Sequence, residues 1–240
     1  MKIVAIDSSG LVASVAVVED NTLLAEYTMN YKKTHSQTLL PMLDEVTKMI
    51  ELDLQSVDAF AIAKGPGSFT GLRIGSATVK GLGLALDKPI VEVPTVDGIA
   101  YQLYGCTDII CPMMDARRGQ VYTGLYTYEK TTEGYRFVVL KEQCACSVEE
   151  ILMEAQKHGK NIVLLGDGVP VYLEIIDQNI KCAYTIAPAY CNRQRSAAIG
   201  ALAMAYFAEG KFVDAREHAP DYLRLSQAER ERKERQENQA

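Results

Sequence analysis

Residues 2–20 read KIVAIDSSGLVASVAVVED, and this stretch decides the fold. An apolar run ends at Asp7, the polar turn Ser8-Ser9-Gly10 follows, and a second apolar run extends over residues 12–18. Short apolar runs bounded by Gly, Asp and Ser are typical of β-strands that are joined by a tight turn. With residues 22–29 as a third strand, the chain is predicted to open as an antiparallel β-meander.

The same plan returns near the middle of the chain, where residues 109–128 read IICPMMDARRGQVYTGLYTY. Here the apolar run ends at Asp115, a turn containing Arg117, Arg118 and Gly119 follows, and an alternating strand comes next. In each half a third strand follows, and then helical and strand segments. A β-β-β-α-β-α order that occurs twice is the layout of the ribonuclease-H-like, actin-like and sugar-kinase architecture, in which two subdomains flank a cleft.

The sequence therefore predicts an α/β protein with the duplicated actin-like ATPase fold. We expect an N-terminal βββαβα-type subdomain over residues 1–105 and a second one over residues 106–225. Residues 226–240 form a tail with four acidic and four basic residues and no apolar face, which is typical of a flexible or solvated helical end.

Charge and composition exclude several classes of protein. The 240 residues include 25 Lys and Arg against 31 Asp and Glu, a formal net charge of −6. Contacts with phosphates need basic side chains, so we expect that this chain does not bind nucleic acid through its own surface alone. No signal-peptide core is apparent, and no apolar run approaches the roughly 20 residues of a spanning helix. We expect a cytoplasmic protein without a membrane partner, whose six cysteines are reduced.

Two loops have the composition of phosphate or nucleotide loops. Asp7-Ser8-Ser9-Gly10 resembles a phosphate-binding hairpin, in which hydroxyl and turn N–H groups meet a phosphate and the Asp holds hydrated Mg²⁺. Gly166-Asp167-Gly168 follows an apolar strand, where a nucleotide loop could sit. Each stretch also fits a plain turn. Asp115, Arg117 and Arg118 either brace the same cleft or touch a partner.

The glycine-rich stretch GPGSFTGLRIG, residues 65–75, leads into a helix predicted over residues 70–86. Each interior glycine costs a helix about 1 kcal/mol relative to alanine, so the glycines of this helix require a structural reason. One row of small residues contains Ala77, Gly81 and Ala85, and such rows allow another backbone to approach closely. Tight packing within one subunit and a helix contact between subunits are both open.

Motifs of known catalytic chemistry are missing from the sequence. His35, which opens a predicted helix, His158 and His218 form no HxxxH or HExxH spacing, and no GxSxG elbow occurs. Cys144 and Cys146 form a CxC pair without the second half that a zinc site needs. We therefore predict no metal site and no catalytic residue. Either His35 or the following serine is expected to cap its helix.

Six motifs occur in a set order along the chain: IDSS, HSQTLLPML, KGPGSFTGLRIG, PMMDARRGQVY, GDG and PDYLR. Together they resemble the bacterial TsaB (YeaZ) family over residues 1–225. The resemblance implies an actin-like ATPase fold and a role in making threonylcarbamoyl-adenosine beside the tRNA anticodon. It further implies a non-catalytic partner of the related TsaD, which transfers the threonylcarbamoyl group, working with the ATPase TsaE. By the same resemblance, the chain forms a homodimer when alone and reaches tRNA only indirectly.

The resemblance also bears on individual residues. TsaD-like proteins carry a VHHMEGH segment with two metal-binding histidines, and here Thr95 and Ile99 fall at those two places in VPTVDGI, residues 93–99. TsaB pairing is expected at the first two helices. This places the following residues at a predicted partner interface: His35, Leu39, Leu43, Thr70, Arg73, Ala77, Gly81 and Ala85.

Two other interpretations of the sequence remain open. An enzyme of the sugar-kinase or ATPase kind would use the Asp7 and Gly166 loops, but no general base or adenosine loop can be assigned. A glycoprotease would need metal ligands or a nucleophile dyad, and neither is found in the sequence. For the favoured reading we expect no tightly bound cofactor, with weak or partner-dependent binding of adenine nucleotide.

Overall fold

The computed structural model describes residues 1–223 of the chain. Its first sheet has the strand order β3-β2-β1-β4-β5. The first three strands are antiparallel, and the last two run parallel to β1. The strands are β1 (Lys2–Asp7), β2 (Ala13–Glu19), β3 (Thr22–Met29), β4 (Ala59–Gly65) and β5 (Ile90–Pro94).

The second sheet repeats this topology with the order β10-β9-β6-β7-β8. Here β6, β7 and β8 form the antiparallel meander, while β9 and β10 are parallel to β6. Two sheets with the same strand order confirm the predicted α/β, actin-like duplicated fold. The strands are β6 (Ile109–Asp115), β7 (Gln120–Thr131), β8 (Gly134–Ser147), β9 (Ile162–Leu165) and β10 (Tyr184–Ile186).

Helices cover both faces of the first sheet. The helices along residues 1–223 are α1 (His35–Met49), α2 (Phe69–Leu86), α3 (Thr95–Tyr101), α4 (Val148–Gln156), α5 (Gly168–Val171), α6 (Leu173–Asn179) and α7 (Ser196–Ala208). Helices α1 and α2 pack on the face that carries Val4 and Ile6, and α7 packs on the face that carries Ile3 and Ala5. Burial of both faces explains why β1 is a continuous apolar run. Helices α4 and α6 cover one face of the second sheet.

The last helix returns to the first sheet. Helix α7 is apolar on all sides, as expected for a buried helix, and Ile199 and Leu202 pack against strands β1, β2 and β5. The division at residues 105 and 106 remains a prediction, and residues 196–223 extend back onto the first subdomain. The predicted tail, residues 226–240, lies outside the described residues.

Helix α3 connects the two halves. Val96, Ile99 and Ala100 of this helix share a buried cluster with Ile110 of β6 and Tyr126 of β7. Within residues 1–223, no helix has both the length and the apolar character needed to cross a membrane.

Candidate functional site

The first hairpin turn is built around a buried carboxylate. Asp7 ends β1, and its Oδ1 accepts hydrogen bonds from the Ser9 amide at 2.8 Å and from the Ser9 hydroxyl at 2.6 Å. Its Oδ2 has no hydrogen-bond partner among the described residues. Burial raises the pKa of Asp7 to about 6, although the bonds from Ser9 act in the opposite direction.

The glycine-rich loop between β4 and α2 docks directly on this turn. The Ser68 amide donates to the Ser9 carbonyl at 2.6 Å, and the Ser8 hydroxyl donates to the Gly71 carbonyl at 2.9 Å. A Cβ at Gly67 or Gly71 would come closer to these Ser9 and Ser8 carbonyl oxygens than the 3.0 Å that real Cβ atoms respect. The glycines are therefore required for close approach, and the loop and the turn form one wall.

The first turn of α2 is already capped from within the chain. The Ser68 hydroxyl accepts a hydrogen bond from the Gly71 amide, as an N-cap residue does. Helix α1 is preceded by Thr34 as its N-cap residue, without a side-chain cap bond, which corrects the prediction that His35 or Ser36 caps it.

The second hairpin turn faces the same cleft. Asp115 ends β6, and its Oδ1 accepts hydrogen bonds from the Arg117 amide and from the Tyr172 hydroxyl, both at 2.8 Å. Its Oδ2 forms an ion pair with the Arg117 guanidinium at 3.1 Å. Arg117 and Arg118 both have positive φ angles and are exposed. Arg117 lies on the cleft, whereas Arg118 is not among its lining residues.

The Gly166-Asp167-Gly168 loop lies on the side of the cleft away from the first hairpin turn. Gly166 has a φ of +105°, and a Cβ there would overlap the Met113 carbonyl oxygen, so this position needs glycine on two counts. Burial raises the pKa of Asp167, and its Oδ1 lacks a partner in the described part of the chain. Arg193 Nη1 donates to the Gly166 carbonyl at 3.0 Å and holds the loop.

These loops surround a cleft with a volume of about 540 Å³. Of the ten predicted cleft residues, Ser9, Gly10, Asp115, Arg117 and Asp167 line it. Within residues 1–223, the lining carries three carboxylates and one guanidinium, and that guanidinium is paired with Asp115. Other polar lining residues are His35, Ser68 and Tyr122, and the end of the described chain contributes Asp221, Tyr222 and Leu223.

His35 is a rim residue of this cleft. Its ring Nε2 lies 2.8 Å from the Gly10 carbonyl oxygen, so it ties the start of α1 to the first hairpin turn. The ring is half-buried, and Nδ1 has no partner in residues 1–223. Its predicted role at a partner interface is untested.

The other predicted interface residues separate into two groups. Leu39 and Leu43 are only 1% and 3% exposed and belong to the core between α1 and the first sheet. They cannot contact a partner in this fold, and the structure corrects that assignment. The remaining five lie on the exposed side of α2: Thr70, Arg73, Ala77, Gly81 and Ala85.

The glycines of α2 also fall on two faces. Gly75 and Gly83 face inward, where a Cβ would overlap Ser8 Oγ and Ala215 Cβ respectively. Gly81 faces outward, and a Cβ there would meet nothing within 4 Å. Tight packing within the subunit therefore explains Gly75 and Gly83, but it does not explain Gly81.

The VPTVDGI stretch is part of the core. Thr95 is 0% and Ile99 is 1% exposed, and the Thr95 hydroxyl accepts a hydrogen bond from the Gly65 amide. Asp97 accepts a hydrogen bond from the Tyr126 hydroxyl at 2.7 Å, and burial raises its pKa to about 6. No three His, Cys, Asp or Glu residues within residues 1–223 are placed to hold a metal.

A segment that the sequence reasoning missed crosses α2 on its way to the cleft. The His218 ring bridges Ser76 Oγ at 2.9 Å and Glu92 Oε1 at 2.7 Å, and its side chain is 0% exposed. Burial acts to raise the pKa of Glu92, but His218 and Lys64 outweigh it and hold that pKa below its usual value. These two hydrogen bonds attach the segment that carries His218 to α2 and β5, and we call this Ser76-His218-Glu92 contact the latch.

The same segment ends in the cleft wall. The Asp221 amide donates to the Lys64 carbonyl at 2.7 Å, and the Tyr222 ring packs on Phe69 with centroids 4.9 Å apart. Arg73 Nε donates to the Tyr222 hydroxyl. The PDYLR motif was the signal in the sequence that could have indicated this role.

Comparison with known proteins gives a consistent family. The profile described as TsaD, tRNA N6-adenosine threonylcarbamoyltransferase, matches residues 22–232. The tRNA threonylcarbamoyladenosine biosynthesis protein TsaB of Bacillus subtilis is 32% identical over 229 residues, covering 95% of this chain and 96% of that protein. TsaB of Haemophilus influenzae is 28% identical over 189 residues, covering 75% and 78% of the two chains.

A solved structure agrees with these relatives. YeaZ from Pseudomonas aeruginosa superimposes with a TM-score of 0.76 at 25% identity, covering 92% of this chain and 99% of that one. The fold and the length are therefore shared along nearly the whole chain. The chain belongs to the TsaB (YeaZ) family of tRNA threonylcarbamoyladenosine biosynthesis proteins.

Proposed function

We propose that this chain is a non-catalytic subunit that activates a TsaD-like transferase in placing the threonylcarbamoyl group on the adenosine adjacent to the tRNA anticodon. A TsaE-like ATPase completes the system. The observation that carries the proposal is the burial of Thr95 and Ile99, at 0% and 1% exposure, where the family resemblance places the metal-binding histidines of TsaD. Neither side chain offers an imidazole nitrogen to a metal.

Reconstitution tests this role directly. Threonylcarbamoylation of tRNA is measured with TsaC-, TsaD- and TsaE-like proteins present, with and without this chain. We expect product only when the chain is present, and none when the chain replaces the TsaD-like protein. The proposal would be wrong if the amount of product were undiminished without this chain. It would also be wrong if product formed without the TsaD-like protein.

The exposed face of α2 supports a role in assembly. We propose that this face forms the homodimer of the isolated chain and the heterodimer with the TsaD-like partner. Ala77, Gly81 and Ala85 are exposed and follow one another at four-residue spacing, so a second helix can approach the backbone closely. The charged and aromatic Arg73–Tyr222 contact lies at one end of this face.

Gly81→Leu should prevent both forms of assembly. The added side chain meets open space within the monomer, so the chain should fold, but it would hold a partner helix away. Gly81→Ala is the matched control, because it adds only a methyl group and favours the helix by about 1 kcal/mol. The measurements are molar mass by light scattering and co-purification with the TsaD-like protein.

The expected result is a monomer that retains no partner for Gly81→Leu and normal assembly for Gly81→Ala. Assembly of Gly81→Leu to the same extent as Gly81→Ala would place the interface elsewhere. Circular dichroism of both variants confirms that the comparison is between folded chains.

For nucleotide, we propose weak or partner-dependent binding of adenine nucleotide and no tightly bound cofactor. Among the described residues, the cleft lining carries Asp115, Asp167 and Asp221 against one arginine, Arg117, which already pairs with Asp115. Such a lining repels the phosphates of a nucleotide. Calorimetry with Mg-ATP on the isolated chain tests this expectation.

A nucleotide-dependent enzyme of the sugar-kinase kind is the second candidate. The unpartnered oxygens Asp7 Oδ2 and Asp167 Oδ1 favour it, because both are buried next to the cleft. Tight Mg-ATP binding together with turnover by the isolated chain would establish it in place of the activator role. Binding without turnover would leave the activator proposal intact.

A further inference from the structure

Strand β8 carries a pair of thiols that the proposed function does not use. Cys144 and Cys146 are alternate residues of this strand, so their side chains lie on one face of the sheet. Their Sγ atoms are 4.0 Å apart, and both are free thiols. Cys146 is buried in the core under α4, whereas Cys144 is half-buried at its margin. The Cys144 side chain is thus partly exposed to solvent, and Cys146 lies next to it in the core.

The backbone at this place can adjust. Among the described residues, β8 is the edge strand of the second sheet, so one of its sides is not paired with a strand from residues 1–223. Its register with β7 shifts between the Thr123–Cys144 and Leu125–Lys141 pairs. Alternate residues of a strand have Cα atoms about 6.6 Å apart, and disulfides span roughly 4.4–6.8 Å. The two sulfur atoms must approach from 4.0 Å to the roughly 2.05 Å of a disulfide bond, and the irregular pairing at this edge is where the backbone can contract.

The surroundings favour ionisation of the outer sulfur. The hydrogen bond with Cys146 lowers the pKa of the Cys144 thiol, and the positive charge of Lys141 adds to this effect against burial. The same hydrogen bond and burial raise the pKa of Cys146. Burial also raises the pKa of Cys106 and Cys191. Because the thiolate is the reactive form, Cys144 should react first with an electrophile.

We propose that Cys144 and Cys146 form a redox-responsive dithiol that a hydroperoxide converts reversibly to an intrachain disulfide. The Cys144 thiolate attacks the terminal peroxide oxygen, so that an S–O bond forms, the O–O bond breaks, and the alkoxide leaves and takes up a proton. Cys146 then loses its proton and attacks the Cys144 sulfur. An S–S bond forms, the S–O bond breaks, and water leaves. The dithiol loses two electrons and the peroxide gains two.

Reduction by an external dithiol reverses the reaction. A thiolate of the reductant attacks one sulfur of the disulfide and forms a mixed disulfide. The second thiol of the reductant then displaces the cysteine, so that the reductant is oxidised and both cysteines become thiols again. This reversibility distinguishes the proposed site from irreversible oxidation of a single thiol to sulfinic acid.

Peptide mapping of the full chain tests the proposal. The reduced protein is treated with hydrogen peroxide, and free thiols are then blocked with N-ethylmaleimide without reduction. Trypsin cleaves after Lys141 and Lys157, so one peptide, residues 142–157, contains both cysteines and no others. We expect this peptide to lose both maleimide adducts and two hydrogen atoms. Dithiothreitol should restore both adducts, and the chain should remain monomeric in a non-reducing gel that contains denaturant.

Variants separate the two sulfur atoms. Cys146→Ser should stop at the sulfenic acid of Cys144, which dimedone traps, and Cys144→Ser should leave Cys146 unoxidised at the same peroxide dose. Cys106→Ser is the matched control, because Cys106 is also half-buried but forms no hydrogen bond to another thiol within residues 1–223. It should leave disulfide formation within residues 142–157 unchanged.

Two results would overturn the proposal. Retention of both maleimide adducts on the wild-type peptide, at peroxide doses that oxidise other cysteines of the chain, shows that the pair is not reactive. Oxidation of this peptide directly to sulfinic acid, or a disulfide that joins it to a different peptide, shows that Cys146 does not resolve Cys144. Because the wild-type chain provides both readouts, the test does not depend on the folding of any variant.

Discussion

The carboxyl group of Asp7 is buried, and its ionised form is therefore disfavoured. The side chain is buried and has one unpartnered oxygen, so burial raises its pKa from 3.8 to about 6. A carboxyl whose pKa is higher in the folded chain stabilises the fold fully below the unfolded pKa, and this contribution is lost as the pH rises through the folded pKa. The folded protein should therefore lose stability between about pH 4 and pH 6.

Asp7→Asn should reduce this loss. A shift of about two pKa units corresponds to about 3 kcal/mol, so the fall in unfolding free energy from pH 4 to pH 7 should shrink by about that amount. Asp97, which is also buried and has its pKa raised to about 6, should keep a similar dependence in the variant. Urea unfolding at the two pH values measures the difference.

A matched comparison for this prediction is Asp97→Asn, because Asp97 is also buried and burial also raises its pKa to about 6. It should reduce the loss of stability with rising pH in the same direction as Asp7→Asn. An Asp7→Asn profile that parallels the wild-type profile would mean that the Asp7 carboxyl is solvated in solution. The comparison uses the change with pH, so a constant cost of the asparagine amide does not affect it.

Among the elements, the segment over residues 211–223 depends on its attachment to α2 and β5. The His218 ring bonds to Ser76 and Glu92, while Lys80 Nζ donates to the Arg216 and His218 carbonyls. These contacts attach residues 211–223, which form no helix or long strand, to α2 and β5. The segment in turn brings Tyr222 to the cleft.

His218→Ala should loosen this segment. The change removes two buried hydrogen bonds, leaves Glu92 Oε1 without its partner, and creates a cavity, which together should cost about 3 kcal/mol. Amide exchange should accelerate at Val213 and Asp221, whose amides donate to Ile90 and Lys64. Hydrogen-exchange mass spectrometry measures this. His158→Ala, at an exposed site after α4, serves as the control, and equal protection in both variants would refute the latch.

Most elements could be predicted from local pattern, but α3 could not. Strand β3 has the predicted bounds, residues 22–29, because the turn at Asp20 and Asn21 marks its start. Helix α3 begins after Pro94 and contains the β-branched Thr95 and Val96 and a glycine, all of which are weak helix formers. It is helical because it is buried between the two halves. Tertiary packing of this kind is not visible in local sequence.

The orientation of α1 shows a second limit. Apolar residues at positions 39, 40, 42, 43, 46, 49 and 50 cover too wide an arc to indicate one buried face. The structure buries Leu39 and Leu43 and leaves Leu40 and Met49 exposed. The two residues predicted to meet a partner thus belong to the core. Hydropathy alone does not distinguish a core leucine from an interface leucine.

The candidate site was predictable where it depends on turns at strand ends. Both hairpin aspartates and the Gly166 loop follow apolar strands, and the duplicated topology brings them to one cleft. The contributions of Tyr172 and Arg193 were not predictable, because each reaches the site from a distant part of the chain. No periodic pattern records such contacts.

For the whole molecule, the net charge of −6 leads to a prediction about tRNA. Binding of nucleic acid relies on phosphate contacts with basic side chains, and this chain has a deficit of them. At physiological salt, the isolated chain should therefore retain no tRNA in a filter-binding or gel-shift assay. With the TsaD-like partner, we expect the chain to be recovered in the tRNA-bound fraction.

Salt provides the control for this prediction. Any residual binding of tRNA by the isolated chain should weaken steeply as salt increases, as nonspecific electrostatic binding does. Tight binding by the isolated chain that resists salt would reveal a direct tRNA site and contradict an indirect role.

The close fit between the first hairpin turn and the glycine-rich loop has a consequence for protein engineering. Gly67 and Gly71 approach the Ser9 and Ser8 carbonyls so closely that neither side of the contact can change shape alone. Two stretches some sixty residues apart in sequence therefore form a single transplantable module. A chimera that receives the loop of a relative must also receive that relative's hairpin turn, whereas the outward side of α2 can be redesigned separately.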